Sequence, residues 1–232
     1  MEFFRKYFNI YLYRIIYWLV LIIILVITVW YFYESNIKIT TLLGGVATGL
    51  FVGWLQLLLM ATEHNEIERV KKLGIKKVLS YRDEEALYRA VIEKTKKEIY
   101  VLGNTASRFM KDFADDTRPD KKALIEALGR GVHVKFLLPK PEFLWNQNDK
   151  DRAKISLRLI EALKTKYNTL VELKYFSHSP FHSLVRADND CFVGPIYPHI
   201  ISQNTPTIYT DKSSIFAQSY LEYFEFEWKD AN

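Results

Sequence analysis

The sequence has little cysteine and no repeated or low-complexity segment. Cys191 is the single cysteine among 232 residues. One cysteine cannot form an internal disulfide, which excludes a disulfide-stabilised secreted domain and fits a reducing compartment. No Gly-Lys-Ser/Thr triplet follows Gly129 or Gly131, so the phosphate-binding loop of the P-loop NTPases is also excluded.

Charge is absent from two long stretches near the N-terminus, residues 15–33 and 39–61. A helix rises about 1.5 Å per residue, so roughly 20 apolar residues cross a hydrocarbon core about 30 Å thick. The residues between, Glu34 to Lys38, are enough only for a tight turn. The aromatic residues around Trp30 do not resemble a signal-peptide cleavage site, which excludes a cleaved signal peptide. Two uncharged helices have no polar face for contact with water, which excludes a soluble helical hairpin. The sequence therefore predicts a transmembrane helical hairpin.

The basic residues near these stretches predict the orientation of the hairpin. Arg5, Lys6 and Arg14 precede the first stretch, and the turn holds only Lys38. Five basic residues follow the second stretch: Arg69, Lys71, Lys72, Lys76 and Lys77. Basic residues that flank membrane spans stay in the cytoplasm. Each of them is attracted to anionic lipid headgroups by about 1 kcal/mol. We expect a membrane protein with two spans and both termini in the cytoplasm.

The second stretch carries glycines at a helical spacing, Gly45, Gly49 and Gly53, with Gln56 beyond them. Residues four apart share one face of a helix, so these glycines form a groove that allows close approach of another backbone. The groove receives either the first span of the same hairpin or the second span of a neighbouring copy. We expect the active state to be a homo-oligomer.

The pattern divides the chain into five segments. Residues 1–14 are basic and aromatic and are expected to lie in the membrane interface, followed by transmembrane helices at 15–33 and 39–61. A juxtamembrane stalk, 62–79, leads into a cytoplasmic α/β domain, 80–232.

Strands and helices are predicted to alternate in the α/β domain. Strands are expected at 75–79, 98–103, 132–138, 171–176, 184–187, 191–193 and 207–209. Helices are expected at 83–97, 121–129, 150–166 and 213–228. Strands separated by helices are typical of βαβ units, so a mainly parallel sheet is predicted.

Parts of this domain resemble the phospholipase D-like fold. The resemblance rests on Glu98–Gly103, on Leu124–Leu138, on Phe181–Pro195 and on the final Phe-Glu-Phe-Glu-Trp. Active members of that family carry His-x-Lys-x4-Asp, whose histidine attacks phosphorus while the lysine holds the phosphate.

His182 is the candidate for that histidine, but Leu184 stands where the lysine belongs and Asn189 where the aspartate belongs. A site without its cationic lysine lacks the group that neutralises the developing charge. The sequence therefore indicates a degenerate site, a chain that is not an enzyme, and no metal or cofactor.

The combination of a two-span hairpin and a cytoplasmic domain is similar to the membrane effectors of bacterial retron anti-phage systems. This resemblance implies inhibition by a reverse transcriptase with its msDNA, and on release a loss of inner-membrane integrity that gives abortive infection. Two alternatives stay open: a membrane-anchored phospholipase D-type phosphodiesterase or nuclease, and a cyclic-nucleotide-sensing membrane effector.

Overall fold

The computed structural model describes the backbone of residues 2–232 and the side chains of residues 15–59, 67 and 69–232. It forms two compact units, residues 1–69 and 70–232. The side chains of the predicted interfacial segment 1–14, and those of residues 60–66 and 68 around the start of the predicted stalk, lie outside the described residues.

The first unit is a pair of long helices. Helix α1 runs Glu2–Tyr33 and helix α2 runs Ile37–Lys72. Their segments Ile15–Tyr33 and Ile37–Leu59 are long and apolar enough to cross a membrane. Asn36 begins α2, since its Oδ1 accepts a hydrogen bond from the Lys38 amide at 3.1 Å. The chain therefore has the two helices that a membrane hairpin requires.

The two helices pack through one stripe of each. Ile24 and Leu43 are the buried aliphatic residues, and the rings of Tyr17 and Trp54 lie 5.0 Å apart. The hydroxyls of Thr28, Thr41 and Thr48 each donate to the carbonyl four residues earlier. These hydroxyls are thus satisfied within their own helix, as an apolar environment demands.

The second unit is built on a seven-stranded sheet. Its strands are β1 Ile75–Leu79, β2 Glu98–Leu102, β3 His133–Pro139, β4 Val171–Phe176, β5 His182–Ala187, β6 Asp190–Pro195 and β7 Thr207–Asp211. Their order in the sheet is β1-β7-β6-β5-β2-β3-β4.

The prediction of a mainly parallel sheet is wrong. Only β2 with β3 and β3 with β4 pair in parallel, and the other four pairings are antiparallel. The parallel pairs are the ones joined through helices. Strands β5 and β6 are joined by the two-residue turn Asp188-Asn189, which reverses the chain directly.

Five helices complete the unit: α3 Glu85–Lys94, α4 Ser107–Phe113, α5 Ala123–Gly129, α6 Gln147–Tyr167 and α7 Ile215–Asp230. Residues of α3 to α6 form one hydrophobic core with the sheet, and residues of α7 form a second. The sheet is thus covered on both faces. The sequence-based prediction missed α4, a short helix of seven residues.

Candidate functional site

A cavity of about 490 Å³ opens beside the carboxyl end of β2. The segment 103–108 after β2, the start of α6 from Asn146 to Arg152 and the segment 196–205 after β6 line it. Ser183 and Val185 of β5 lie in its wall. The volume is in the range of small-molecule sites, roughly 300–1,000 Å³. It is the candidate functional site of the α/β unit.

Arg82 enters the cavity from the segment before α3. Its Nε donates to Thr207 Oγ1 at 2.9 Å and its Nη2 donates to the Pro195 carbonyl at 3.0 Å. A Cβ on Gly194 would lie 2.7 Å from Arg82 Nη2, so glycine is needed there for the guanidinium to fit. Burial lowers the pKa of Arg82, and nearby Arg108 lowers it further. No carboxylate of a described residue pairs with Arg82, which leaves its charge available.

The guanidinium of Arg108, in α4, has hydrogen-bond partners for only some of its donors. Its Nε donates to Asp112 at 3.1 Å, whereas its buried Nη1 has no hydrogen-bond partner among the described residues. The same Asp112 accepts from Lys121 Nζ at 3.1 Å. Asp112 therefore has two cationic partners, and Arg108 keeps a donor for another acceptor.

The loop after β2 supplies neutral polar groups. Asn104 Nδ2 donates to Asp149 Oδ2 at 3.0 Å, while the buried Asn104 Oδ1 has no partner among the described residues. Ala106 has a φ of 51°, in the left-handed region that residues with a Cβ rarely adopt. Strain of this kind clusters at functional sites, and here it turns the chain between β2 and α4 at the cavity wall.

The apolar wall of the cavity is aromatic. The rings of Tyr88 and Phe192 stack at 3.9 Å, and Phe109 and Phe113 lie edge to face at 5.2 Å. Burial raises the pKa of Tyr88 to about 12. This tyrosine therefore stays neutral at physiological pH and contributes a flat surface and no charge.

Comparison with known protein families and with curated proteins finds no match. Among the solved structures that are similar to this chain are an archaeal chromatin protein and a bacterial protein. TrmBL2, an archaeal chromatin protein described with a novel mode of DNA binding, is 16% identical over 82% of this chain and 69% of its own, with a TM-score of 0.44. NucT from Helicobacter pylori is 12% identical over 67% of this chain and 96% of its own, with a TM-score of 0.43. At these values no residue role is transferred from either protein.

NucT is a nuclease of the phospholipase D family. The prediction that this chain is not an enzyme is contradicted by the similarity to NucT.

His182 lies on the sheet face opposite the cavity. Its ring contacts Tyr220 and Tyr223 of α7, with centroids 5.0 and 4.6 Å away, and its buried Nε2 has no partner among the described residues. Burial lowers the pKa of His182. Successive residues of a strand point to opposite faces, so the neighbouring Ser183 lines the cavity in its place.

The turn after β5 is held by Asp188, which has a φ of 50°. Its carboxylate accepts hydrogen bonds from the amides of Lys96, Lys97 and Glu98 at 2.8, 3.1 and 3.0 Å. Burial alone would raise the pKa of Asp188, but these three amides outweigh it and hold the pKa below its ordinary value. Asp188 therefore fixes the start of β2 to the β5–β6 turn.

No described residue of the first helix lies in the predicted glycine groove. A Cβ on Gly45, Gly49 or Gly53 would meet nothing within 4 Å among the described residues, whereas one on Gly44 would lie 3.4 Å from Tyr31. Gly44 is therefore the glycine of the hairpin contact. Gln56 is exposed, as are Gly45 and Gly49.

The five predicted basic residues fall into two groups. Lys76 pairs with Asp190 at 2.5 Å and with Asp211 at 3.5 Å, and Lys77 pairs with Glu84 at 2.7 Å. These two lysines therefore have carboxylate partners within the α/β unit. The other three, Arg69, Lys71 and Lys72, lie in the last turns of α2 and are exposed.

Among the described residues no group of three His, Cys, Asp or Glu side chains is placed to hold a metal ion. The arginines of the cavity escaped the sequence-based reading, because Arg82, Arg108 and Arg152 are far apart along the chain and form no motif. The polar run Asn104-Thr105-Ala106-Ser107 after a buried strand was the available signal.

Proposed function

We propose that this chain is a membrane-embedded effector of bacterial anti-phage defence, in which the α/β unit controls a two-helix membrane hairpin. The observation that supports it is the pair of apolar helices attached to a folded unit with a small-molecule cavity. Most of the apolar side chains of both helices are exposed, including Leu25, Val26 and Leu42 at 57%, 60% and 67%. Such surfaces require lipid or another apolar partner.

The proposal places the protein in the bacterial inner membrane with both termini in the cytoplasm. In its specific form the effector is of the retron type. A reverse transcriptase with its msDNA holds it inactive, and release compromises the inner membrane and gives abortive infection. A hairpin of two helices cannot enclose an aqueous path by itself, because ions and backbone polar groups must be shielded from lipid. Damage therefore requires several copies or a local bilayer defect.

A potential-sensitive dye tests this proposal in growing cells. Expression of the chain alone should collapse the membrane potential, and co-expression with the cognate reverse transcriptase and msDNA should preserve it. The matched control replaces Ile22 and Ile23, which are exposed on α1, by aspartate to prevent insertion. An unchanged potential with the protein in the membrane fraction would refute the effector proposal. Equal collapse with and without the partner would refute the retron form.

A second candidate function is hydrolysis of a phosphodiester in the cavity. It is favoured by the cationic lining, because arginines stabilise the charge of a phosphoryl group during transfer. The purified chain would be incubated with single-stranded DNA and with bis(p-nitrophenyl) phosphate, beside a variant with Arg82→Gln. Turnover that the variant abolishes would establish this function, and equal rates for both proteins would exclude it.

A further inference from the structure

Two of the carboxylates that line the cavity beside β2 pair with cations outside the lining, so they do not neutralise all of the cavity's arginines. Its lining includes three arginines and three carboxylates: Arg82, Arg108, Arg152, Glu85, Asp112 and Asp149. Arg89 and Lys121 add two cations from outside the lining, pairing with Glu85 and, for Lys121, also with Asp112. The three lining carboxylates are therefore shared among five cationic groups, three in the lining and two outside it, which leaves an excess of two positive charges.

The surplus charge is concentrated on groups with unused donors. The Nη1 groups of Arg82 and Arg108 and the side chain of Arg152 have no acceptor among the described residues. The pKa of Arg82 is lowered both by burial and by the neighbouring guanidinium of Arg108. An anion between these groups would relieve that repulsion.

We propose that this cavity binds a nucleoside monophosphate, with its phosphate against Arg82, Arg108 and Arg152. A phosphate monoester carries a charge of about −1.5 to −2 at pH 7 and offers three acceptor oxygens, which matches the surplus. A guanidinium group can donate two parallel hydrogen bonds to two such oxygens.

The rest of the cavity suits a nucleoside. The volume of about 490 Å³ exceeds what a phosphate alone would fill. Asn104 Oδ1 is a buried acceptor without a donor among the described residues, and it can receive a hydrogen bond from an exocyclic amine. The half-exposed Tyr197 ring lies in the lining, and base–aromatic stacking contributes about 1–3 kcal/mol.

This inference deepens the proposed function, since it assigns to the α/β unit the signal that controls the hairpin. The full chain, purified in mild detergent and phosphate-free buffer, would be titrated calorimetrically with AMP, UMP, adenosine and inorganic phosphate. We expect at least one nucleotide to bind at least tenfold more tightly than adenosine or phosphate. Tightest binding by inorganic phosphate, or no binding of either nucleotide, would overturn the assignment.

Two arginine variants locate the site. Arg152→Gln removes a half-exposed side chain that makes no hydrogen bond to a described residue, so the fold is retained, and Arg82→Gln is the second variant. Each should weaken nucleotide binding by roughly 10- to 100-fold, as expected for a lost charge-assisted hydrogen bond. Arg158→Gln, exposed on α6 and absent from the lining, is the matched control and should bind as the parent does.

Unchanged affinity in both cavity variants would refute the proposed site. Because binding is measured on the purified chain, its failure is distinct from a failure of the effector proposal, which is tested by membrane potential in cells.

Discussion

Removing the Asp188 carboxylate should destabilise the α/β unit, and the structure sets the size of the effect. Asp188→Ala leaves three amide donors without their acceptor. A hydrogen bond to a charged group contributes about 1.5–3 kcal/mol when buried. The Lys96 and Lys97 amides are exposed and regain water, whereas the Glu98 amide is partly buried and does not fully. Alanine also tolerates the positive φ less well than aspartate. The expected decrease in the free energy of unfolding is about 2–4 kcal/mol.

Urea unfolding of the full chain in mild detergent, followed by tryptophan emission, measures this loss. The corresponding drop in unfolding temperature is roughly 5–15 °C. Asn189→Ala, in the same turn and exposed, is the control and should change stability by less than about 0.5 kcal/mol. A loss below 0.5 kcal/mol in Asp188→Ala would refute the reasoning.

The pH dependence gives an independent check on Asp188. Because its pKa is lowered in the folded state, its stabilisation is fully present above the unfolded value near 3.9 and is lost as pH falls through the folded value. The difference between parent and Asp188→Ala should therefore be constant at neutral pH and shrink in acid.

Three further predictions concern the hairpin, His182 and the buried ion pairs. Gly49→Leu fills the open glycine face and should insert normally but no longer oligomerise by crosslinking or depolarise cells; Leu55→Phe, about 120° around the helix, should behave like the parent. His182→Ala should leave depolarisation intact, since the ring lies away from the cavity. The lowered pKa of His182 makes protonation favour unfolding, so the free energy of unfolding of the parent should fall as pH drops below about 6.5. His182→Leu should remove this acid-dependent loss of stability. Lys121→Met should lower the free energy of unfolding by about 1–3 kcal/mol, because Asp112 and Glu85 lose a shared partner; an unfolding midpoint equal to the parent's would show that this lysine contributes nothing.

The sequence predicted most of the elements of the α/β unit but misjudged how they assemble. Strands 75–79 and 171–176 have the predicted bounds, because apolar runs between polar turns mark them clearly. The predicted sheet direction was wrong because only β2–β3 and β3–β4 are neighbouring strands joined through α-helices, whereas β5, β6 and β7 follow one another without an α-helix between them. The Asp188-Asn189 turn was the signal for an antiparallel β5–β6 pair, since Asp and Asn adopt turn conformations readily.

The arginines of the candidate cavity were beyond the reach of sequence patterns, and only the polar run 104–107 gave a signal. The arginines come from three separate segments, and only the packing of α4 and α6 beside β2 brings them to one place. The same limit applies to the hairpin. Helical spacing identified a glycine face, but it could not decide whether that face meets the first helix. The contact of Gly44 with Tyr31 shows which glycine does.

Cysteine accessibility tests the central claim, a membrane hairpin that holds the α/β unit in the cytoplasm. The parent is its own unlabelled control, because Cys191 is buried and burial raises its pKa to about 12. Ser35→Cys in the turn and Asp116→Cys in the α/β unit, both at exposed positions, would be treated with a membrane-impermeant maleimide in spheroplasts. We expect labelling of Ser35→Cys in intact spheroplasts and of Asp116→Cys only after permeabilisation. Labelling of Asp116→Cys in intact spheroplasts, or protection of Ser35→Cys, would contradict it.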